Sequence, residues 1–352
     1  MNINAIERED ILDTVKSAEV EWDKFRGKKI AVTGATGLVG KSVIFTLLEA
    51  NKHYGLGCQV LAFVRSLEKA KQIFGDIDEA ELSYVLQDVQ TPVPEDVKAD
   101  FLIHGASVTA SKIMVEQPVE TIMTTMQGTA NMMEFAARCQ MEGVVYLSSM
   151  EAYGTIGADH GEVREEDLGY VDLSNVRSSY PEGKRMAECL CTSYAHEYGV
   201  NVKIARLAQT FGAGIPKTEN RVFAQFAKSV IHGEDIVLHT KGDKANCYCY
   251  TSDAVAALLI LLTKGENGQA YNVANMETFC SIKEMAEIFL TFDASKTCQL
   301  RIEIPENLAS LGYAPSSILK LNSDKLMALG WNPKKNMHDM AYRLIESLKV
   351  AI

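Results

Sequence analysis

Long apolar runs are missing from this chain. No stretch of its 352 residues approaches the roughly twenty consecutive apolar residues that span a bilayer, so no membrane partner is expected. A positive balance is missing too. Lys and Arg number 35 against 46 Asp and Glu, for a formal net charge of −11, and no basic stripe stands ready to neutralise phosphates. That argues against nucleic acid as a partner. An anionic substrate must then be caught by a few local cations, with Arg221 and Lys217 as candidates. Metal-ligand patterns are also absent. Among the eight cysteines, Cys189/Cys191 and Cys247/Cys249 are separated by a single residue, which is not zinc-ribbon spacing. The seven histidines are scattered, and His104 in particular reads as structural. No metal site is expected, and reduced thiols are. The first residues are polar and acidic, unlike a signal peptide, so the expected compartment is the cytoplasm.

What is present begins with a strand, a tight glycine turn and a helix. Lys29 to Val32 reads as a short buried strand that runs into Thr33-Gly34-Ala35-Thr36-Gly37-Leu38-Val39-Gly40, and an apolar helical pattern follows through Val43, Leu47 and Leu48. In such a turn Gly34 permits the sharp bend, Gly37 lets backbone amides approach a pyrophosphate, and Gly40 allows close packing of helix on strand. Thr36, Leu38 and Val39 complete the loop at the helix N-terminus, where unpaired amides and the helix dipole favour an anion. Glycines alone would fit a flexible loop, but the flanking strand and helix favour a dinucleotide site.

The second strand, Gln59 to Val64, ends at Arg65-Ser66. An acidic residue there would hold the ribose hydroxyl of NAD, whereas arginine accommodates the 2′-phosphate of NADP. The cofactor is therefore NAD or NADP, with Arg65 favouring NADP; the bland reading is an arginine that stacks on adenine or faces solvent. Asp88-Val89 closes a third apolar run beside the adenine, and Gly105-Ala106-Ser107 ends a fourth strand with small residues that suit a pyrophosphate.

Further on, Tyr180 precedes Lys184 by four residues, which places phenol and ammonium on one helical face. A lone pair at this spacing is usually a solvated face. Here it follows the glycine turn and Ser148-Ser149, the order a hydride-transfer site needs. A cation beside a phenol favours the phenolate, so Tyr180 can take a proton from a hydroxyl as hydride leaves the same carbon. Ser149 would hold the reacting oxygen, and Ser148 reads as a structural strand-end hydroxyl.

Strands alternate with helices to about Ala205, which predicts an α/β fold of Rossmann type, a doubly wound parallel sheet with a smaller C-terminal substrate lobe. Residues 1–26 read as an N-terminal helical extension, 27–212 as the NAD(P)-binding domain carrying the catalytic residues, and 213–352 as mainly the substrate lobe, with segments returning to the first domain. Met114 to Cys139 and Tyr180 to Tyr198 carry apolar helical faces.

With these residues in hand, the chain resembles the extended short-chain dehydrogenase/reductase superfamily, specifically its NAD(P)-dependent nucleotide-sugar epimerases, dehydratases and decarboxylases. The carriers are Thr33 to Gly40, Leu147 to Gly154, Tyr180 to Lys184 and Arg206 to Gly214, and the run Tyr180 to Glu188 looks most like the UDP-glucuronate decarboxylase branch. The resemblance implies a nucleotide-sugar substrate and a sugar alcohol oxidised to a ketone. It assigns Ser149, Tyr180 and Lys184 to that step, with Lys184 also on the nicotinamide ribose, and it implies a homodimer built on the two apolar helices. Family dehydratases carry aspartate and then glutamate after the serine position; here Met150 and Glu151 follow Ser149. A thioether cannot donate a proton, so decarboxylation or epimerisation is expected over dehydration, with Glu151 beside the reacting sugar. Three positions depart from the family: Asn246 stands where an arginine usually contacts the nucleotide-sugar, and Gln209 and Thr125 replace asparagines. Asparagine cannot pair a phosphate or carboxylate as arginine does, which counts against UDP-glucuronate itself. Gln209, Asn246 and Arg221 remain the substrate-binding candidates beside Ser149. An NADP-dependent keto-sugar reductase and a non-catalytic nucleotide sensor on the same fold are the competing readings.

Overall fold

The computed structural model describes residues 3–157, 159–294, 296–305 and 318–351. Seven strands build the main sheet: β1 (Lys29–Thr33), β2 (Gln59–Val64), β3 (Leu82–Leu86), β4 (Phe101–His104), β5 (Gly143–Ser149), β7 (Val202–Leu207) and β11 (Ala270–Val273). Their order is β3-β2-β1-β4-β5-β7-β11 and every pairing is parallel. A parallel sheet needs both faces covered, which is why β1, β2, β4 and β5 read as almost unbroken apolar runs. The helices that cover it are α2 (Leu38–Tyr54), α3 (Leu67–Phe74), α4 (Ser111–Glu116), α5 (Pro118–Cys139), α6 (Ser179–Tyr198) and α8 (Thr251–Lys264).

Strand order reverses between β1 and β4, whose register pairs Thr33 with His104. In open α/β sheets the ligand crevice lies beyond the carboxyl ends of the strands at such a switch point. The glycine turn after β1 and Gly105 to Ser107 after β4 therefore meet at one place. The apolar run from Met114 to Cys139 is divided: α4 ends at Gln117 and Pro118 opens α5 at its first turn, since proline lacks the amide that would continue a helix.

A second sheet runs β12 (Asn275–Ser281), β10 (Ala245–Tyr250), β14 (Ile318–Leu321) and β6 (Glu162–Val163), with β8 (Gln209–Phe211) also on β10. The chain passes between the sheets more than once: β6 joins the second sheet before β7 enters the first, and α8 and β11 return to the first. Around the second sheet lie α7 (Val222–His232), α9 (Ile282–Leu290) and α11 (Met337–Ala351), while α10 (Asp324–Met327) packs on β11 of the main sheet, and β9 (Ile236–Leu238) pairs with β13 (Leu300–Ile302).

The N-terminal extension forms α1 (Ala5–Val15), opened by Asn4 and Glu7 in a reciprocal capping box that satisfies two otherwise orphaned amides. It buries Ile11 and Val15 and packs against α2, α8 and α11. Asp10 receives the Tyr250 hydroxyl at 2.6 Å and Arg343 at 2.8 Å, so this helix ties the two sheets' layers together.

Candidate active site

The turn after β1 has the dimensions of a dinucleotide cradle. Gly34 sits at φ +69°, and a Cβ there would come within 2.8 Å of the Gly105 carbonyl and 3.0 Å of the Ala106 nitrogen. A Cβ on Gly40 would meet the Gly34 oxygen at 2.3 Å, so the helix can lie this close only as glycine. Gly37 is the N-cap of α2 and no side chain caps that end, which leaves its first amides free for an anion. The Ser107 hydroxyl is buried without a partner, as a group awaiting a ligand would be. These residues fit an NAD-type dinucleotide, whose nicotinamide when bound supplies a hydride acceptor.

Behind the cradle, Thr33 and His104 explain each other. The Thr33 hydroxyl oxygen accepts the Gly105 and Ala106 amides, each at 3.1 Å, and lies 2.7 Å from His104 Nδ1. Having accepted twice, the hydroxyl donates its own proton to Nδ1, which makes His104 the neutral Nε2–H tautomer. Burial then drives its pKa down from 6.5 to about 3, with the Lys184 charge adding to the effect. His104 shapes the loop that carries Gly105 to Ser107.

The other predicted cofactor positions lie along the same edge. Arg65 is exposed at the end of β2, and Ser66 caps α3 by accepting the Lys69 amide at 3.2 Å. Asp88 closes a turn through the Gln90 amide at 2.9 Å. Val89 is buried, and its carbonyl is held by Asn131 at 2.8 Å.

Ser149 ends β5, while Tyr180 and Lys184 come from the first turns of α6. Both α6 side chains are buried, at 8% and 3% exposure, as a four-residue spacing on one helical face requires. Lys184 Nζ donates to the Leu147 carbonyl at 2.7 Å and lies 5.7 Å from the Tyr180 ring centre. The Ser149 hydroxyl accepts the Glu151 amide at 3.2 Å and lies near enough to the phenol to favour its charged form. Ser148 is buried on Glu188, which also pairs with Arg206 at 2.7 Å. It is a strand-end hydroxyl in a buried ionic network and does not face the site.

One electrostatic expectation is corrected. A cation four residues along the helix is expected to lower a phenol, and Lys184 does not do so for Tyr180. Burial instead pushes the phenol up to about 12, and the negative charge of Glu151 adds to the rise. The groups that oppose it are Ser149, Arg177 and Arg221. Lys184 is itself drawn down to about 8 by burial. Desolvation penalises the charged form of both groups, and in a pocket this closed it outweighs their attraction.

Two cations in the site escaped the sequence reading. Arg177 Nη2 bonds Glu151 at 2.8 Å, and its guanidinium lies 5.6 Å from the Tyr180 ring centre. Lys244 is half-buried and close enough to feel the charges of Glu151 and Arg177. The available signal was an arginine three residues before the tyrosine, in a loop with no periodicity to suggest where it would point. Of the expected substrate contacts, Arg221 is paired with Glu219 at 2.7 Å and lies over Phe223. Gln209 pairs by backbone with Tyr248. Asn246 is buried with its Oδ1 unpartnered. Thr125 bonds the Thr121 carbonyl at 2.9 Å and faces Gly183 of α6. Lys217 is exposed.

A switch-point dinucleotide cradle beside a serine, a tyrosine and a lysine defines a Rossmann-fold enzyme of hydride transfer. The chain belongs to the NAD dependent epimerase/dehydratase family, whose model matches residues 30–274. It is 28% identical over 314 residues to UDP-glucuronic acid decarboxylase 6 of Arabidopsis thaliana, covering 88% of this chain and 86% of the relative. Among solved structures it resembles a UDP-glucose 4-epimerase from Thermotoga maritima with UDP-glucose, at TM-score 0.75 and 19% identity over 92% of this chain and 99% of that one. It also resembles a UDP-glucuronic acid 4-epimerase from Bacillus cereus in complex with NAD, at TM-score 0.73 and 16% identity over 92% and 99%. The matched family segment begins after α1. Among the described residues no helix is long and apolar enough to cross a membrane.

Proposed function

We propose that this protein oxidises the C4 hydroxyl of a nucleotide-linked sugar acid and releases carbon dioxide from the keto acid, with the cofactor regenerated in place. Tyr180 takes the hydroxyl proton as the C4 hydride leaves, and Ser149 holds the same oxygen. The ketone makes the C5 carboxylate a β-keto acid. Its carbon–carbon bond breaks, the electron pair moves onto the C4 oxygen, and a proton returns to C5. Reduction of C4 then needs a proton on oxygen, which Tyr180 gives back. Lys184 holds the cofactor ribose and the phenol's surroundings. The observation that carries the reading is the convergence of Ser149, Tyr180 and Lys184 with Glu151 at the end of β5. Met150 packs against the core and supplies no acid for dehydration, and the decarboxylase relatives agree with that choice. Epimerisation at C4 uses the same first step.

On this reading Gly34, Thr36, Gly37, Leu38, Val39 and Gly40 hold the pyrophosphate, with Gly105, Ala106 and Ser107 opposite and Asp88 and Val89 beside the adenine. Gln209, Arg221 and Asn246 line the nucleotide-sugar side. A cytoplasmic homodimer through α5 and α6 completes the assignment. A second reading rests on one observation: exposed Arg65 at the end of β2 suits the 2′-phosphate of NADP, the cofactor of a net keto-sugar reductase. Mass spectrometry after incubation with UDP-, dTDP-, CDP- and GDP-sugars, UDP-glucuronate among them, separates the two. Loss of carbon dioxide with no net consumption of NAD is expected. A gain of two hydrogens with NADPH would replace this reading with the reductase.

A further inference from the structure

The charges around Tyr180 do not balance within the protein. Arg221 is neutralised by Glu219 and Arg206 by Glu188, but Glu151 alone faces both Arg177 and Lys244. Arg177 Nη2 serves both Glu151 oxygens, at 2.9 and 2.8 Å, while its Nη1 is buried with no hydrogen-bond partner. A buried guanidinium donor without an acceptor is unfavourable. Here it stands against the ring of the candidate base, at the place where a sugar would lie. Within the group of Glu151, Arg177 and Lys244 the unmatched charge is one positive unit, and the unmatched donor is half of a fork whose geometry suits a carboxylate.

We propose that Arg177, assisted by Lys244, is the residue that recognises the carboxylate of the sugar acid, supplying from the loop before α6 the cation that β10 lacks at Asn246. The inference rests on the sugar-acid reading above and adds the group that enforces it. When the substrate is seated, two carboxylates, its own and that of Glu151, face two cations, and the Nη1 donor is satisfied. A neutral hexose would leave both the charge and the donor unmatched. Discrimination therefore comes from the free enzyme's own unpaired donor, the kind of polar mismatch that rejects an analogue strongly.

The test compares calorimetric binding of UDP-glucuronate and UDP-glucose to the full chain with NADH present, which cannot accept the C4 hydride and so prevents turnover, in wild type, Arg177→Gln and Arg177→Lys. Wild type should prefer the acid by at least about tenfold, in line with one charge-assisted hydrogen-bonded contact. Arg177→Gln should lose that preference by weakening the acid alone, and Arg177→Lys should recover part of it. Thermal melts of the variants check that the half-exposed loop position has not disturbed the fold. Equal wild-type affinities, equal weakening of both sugars in Arg177→Gln, or an unchanged affinity for the acid would each overturn the assignment. Failure of the reaction itself is separable, because a protein that binds by these rules and releases no carbon dioxide contradicts the proposed function and leaves the role of Arg177 standing.

Discussion

Tyr180 can act as a base only at the expense of its surroundings, since burial and Glu151 hold the phenol at about 12 in the free protein. Its proton chemistry must therefore be confined to the moment when substrate oxygen, Ser149 and the neighbouring cations all face it. Removing the phenol oxygen alone tests this. Tyr180→Phe should lower turnover by about a thousandfold or more while leaving NAD affinity within a few-fold of wild type, since the cradle lies on β1 and β4; steady-state assay and cofactor titration give the two numbers. His104 offers a second residue-level test, through stability. Its folded pKa of about 3 lies below the ordinary 6.5, so the fold prefers the neutral ring. That preference is fully present above pH 6.5 and is lost as pH falls toward 3. The shift corresponds to roughly 5 kcal/mol as an upper bound. Urea unfolding across this window should show wild type taking up about one more proton on unfolding than His104→Gln; identical slopes would contradict the burial argument. The candidate serine, tyrosine and lysine were picked out by their order along the chain together with the family resemblance, and the structure brings them to the end of β5 and the start of α6; His104 read as structural because no metal-ligand pattern accompanies it. Arg177 was not, because a loop side chain has no period to betray its direction, and the long reach of an arginine decides its partner only in three dimensions.

At the scale of elements, the glycine turn and α2 behave as one unit. Gly40→Ala places a methyl against the Gly34 carbonyl, at 2.3 Å in the present backbone, so the cradle itself must move. The expected result is a destabilisation of about 1–3 kcal/mol with NAD affinity reduced by an order of magnitude or more, read by denaturant midpoint and cofactor titration. Helix α1 acts differently, as a strap. It buries Ile11 and Val15 and satisfies Tyr250 and Arg343 through Asp10, and the Tyr250 hydroxyl in turn accepts the Ala213 amide at 3.2 Å. Deleting residues 1–16 removes that burial and strands a phenol and a guanidinium. Each large buried side chain contributes about 1.5–3 kcal/mol, so the melting temperature should fall by about 5 °C or more. An N-terminal helix was readable although its apolar residues fall only partly at helical spacing, and the α-helix stops at Val15, short of the segment that was read as helical; the strand–turn–helix was readable too. The break at Pro118 was passed over because the apolar pattern continues across it, and the two-residue β6 has no pattern of its own to read.

For the whole molecule, the remaining question is what covers the outer face of α5. Val119, Ile122 and Met123 are exposed at 65%, 40% and 47%, and their spacing puts them on one stripe; Met186 of α6 is exposed nearby at 57%. An apolar stripe of this kind is a common mark of association. On the proposed homodimer, sedimentation should give twice the mass of the 38.7 kDa chain, and Met123→Glu should shift it to the monomer with Tyr180 chemistry retained in part. A monomeric wild type would refute the dimer without touching the site. The α/β class and the doubly wound parallel sheet followed from the alternation of strands and helices; the order of the strands is set by the crossovers of the fold. The assembly of the second sheet from distant segments did not, since its pairings are set by packing between stretches with no common local pattern.

The most direct test of the central claim follows the hydrogen on C4. UDP-glucuronate carrying deuterium at that carbon is incubated with the enzyme and NAD, and the product is weighed by mass spectrometry. The account predicts a nucleotide-pentose that has lost carbon dioxide and kept its deuterium, with no net reduced cofactor, because the same hydride leaves and returns within one site. A product that has lost the deuterium, or one formed only with added NADPH, would contradict it.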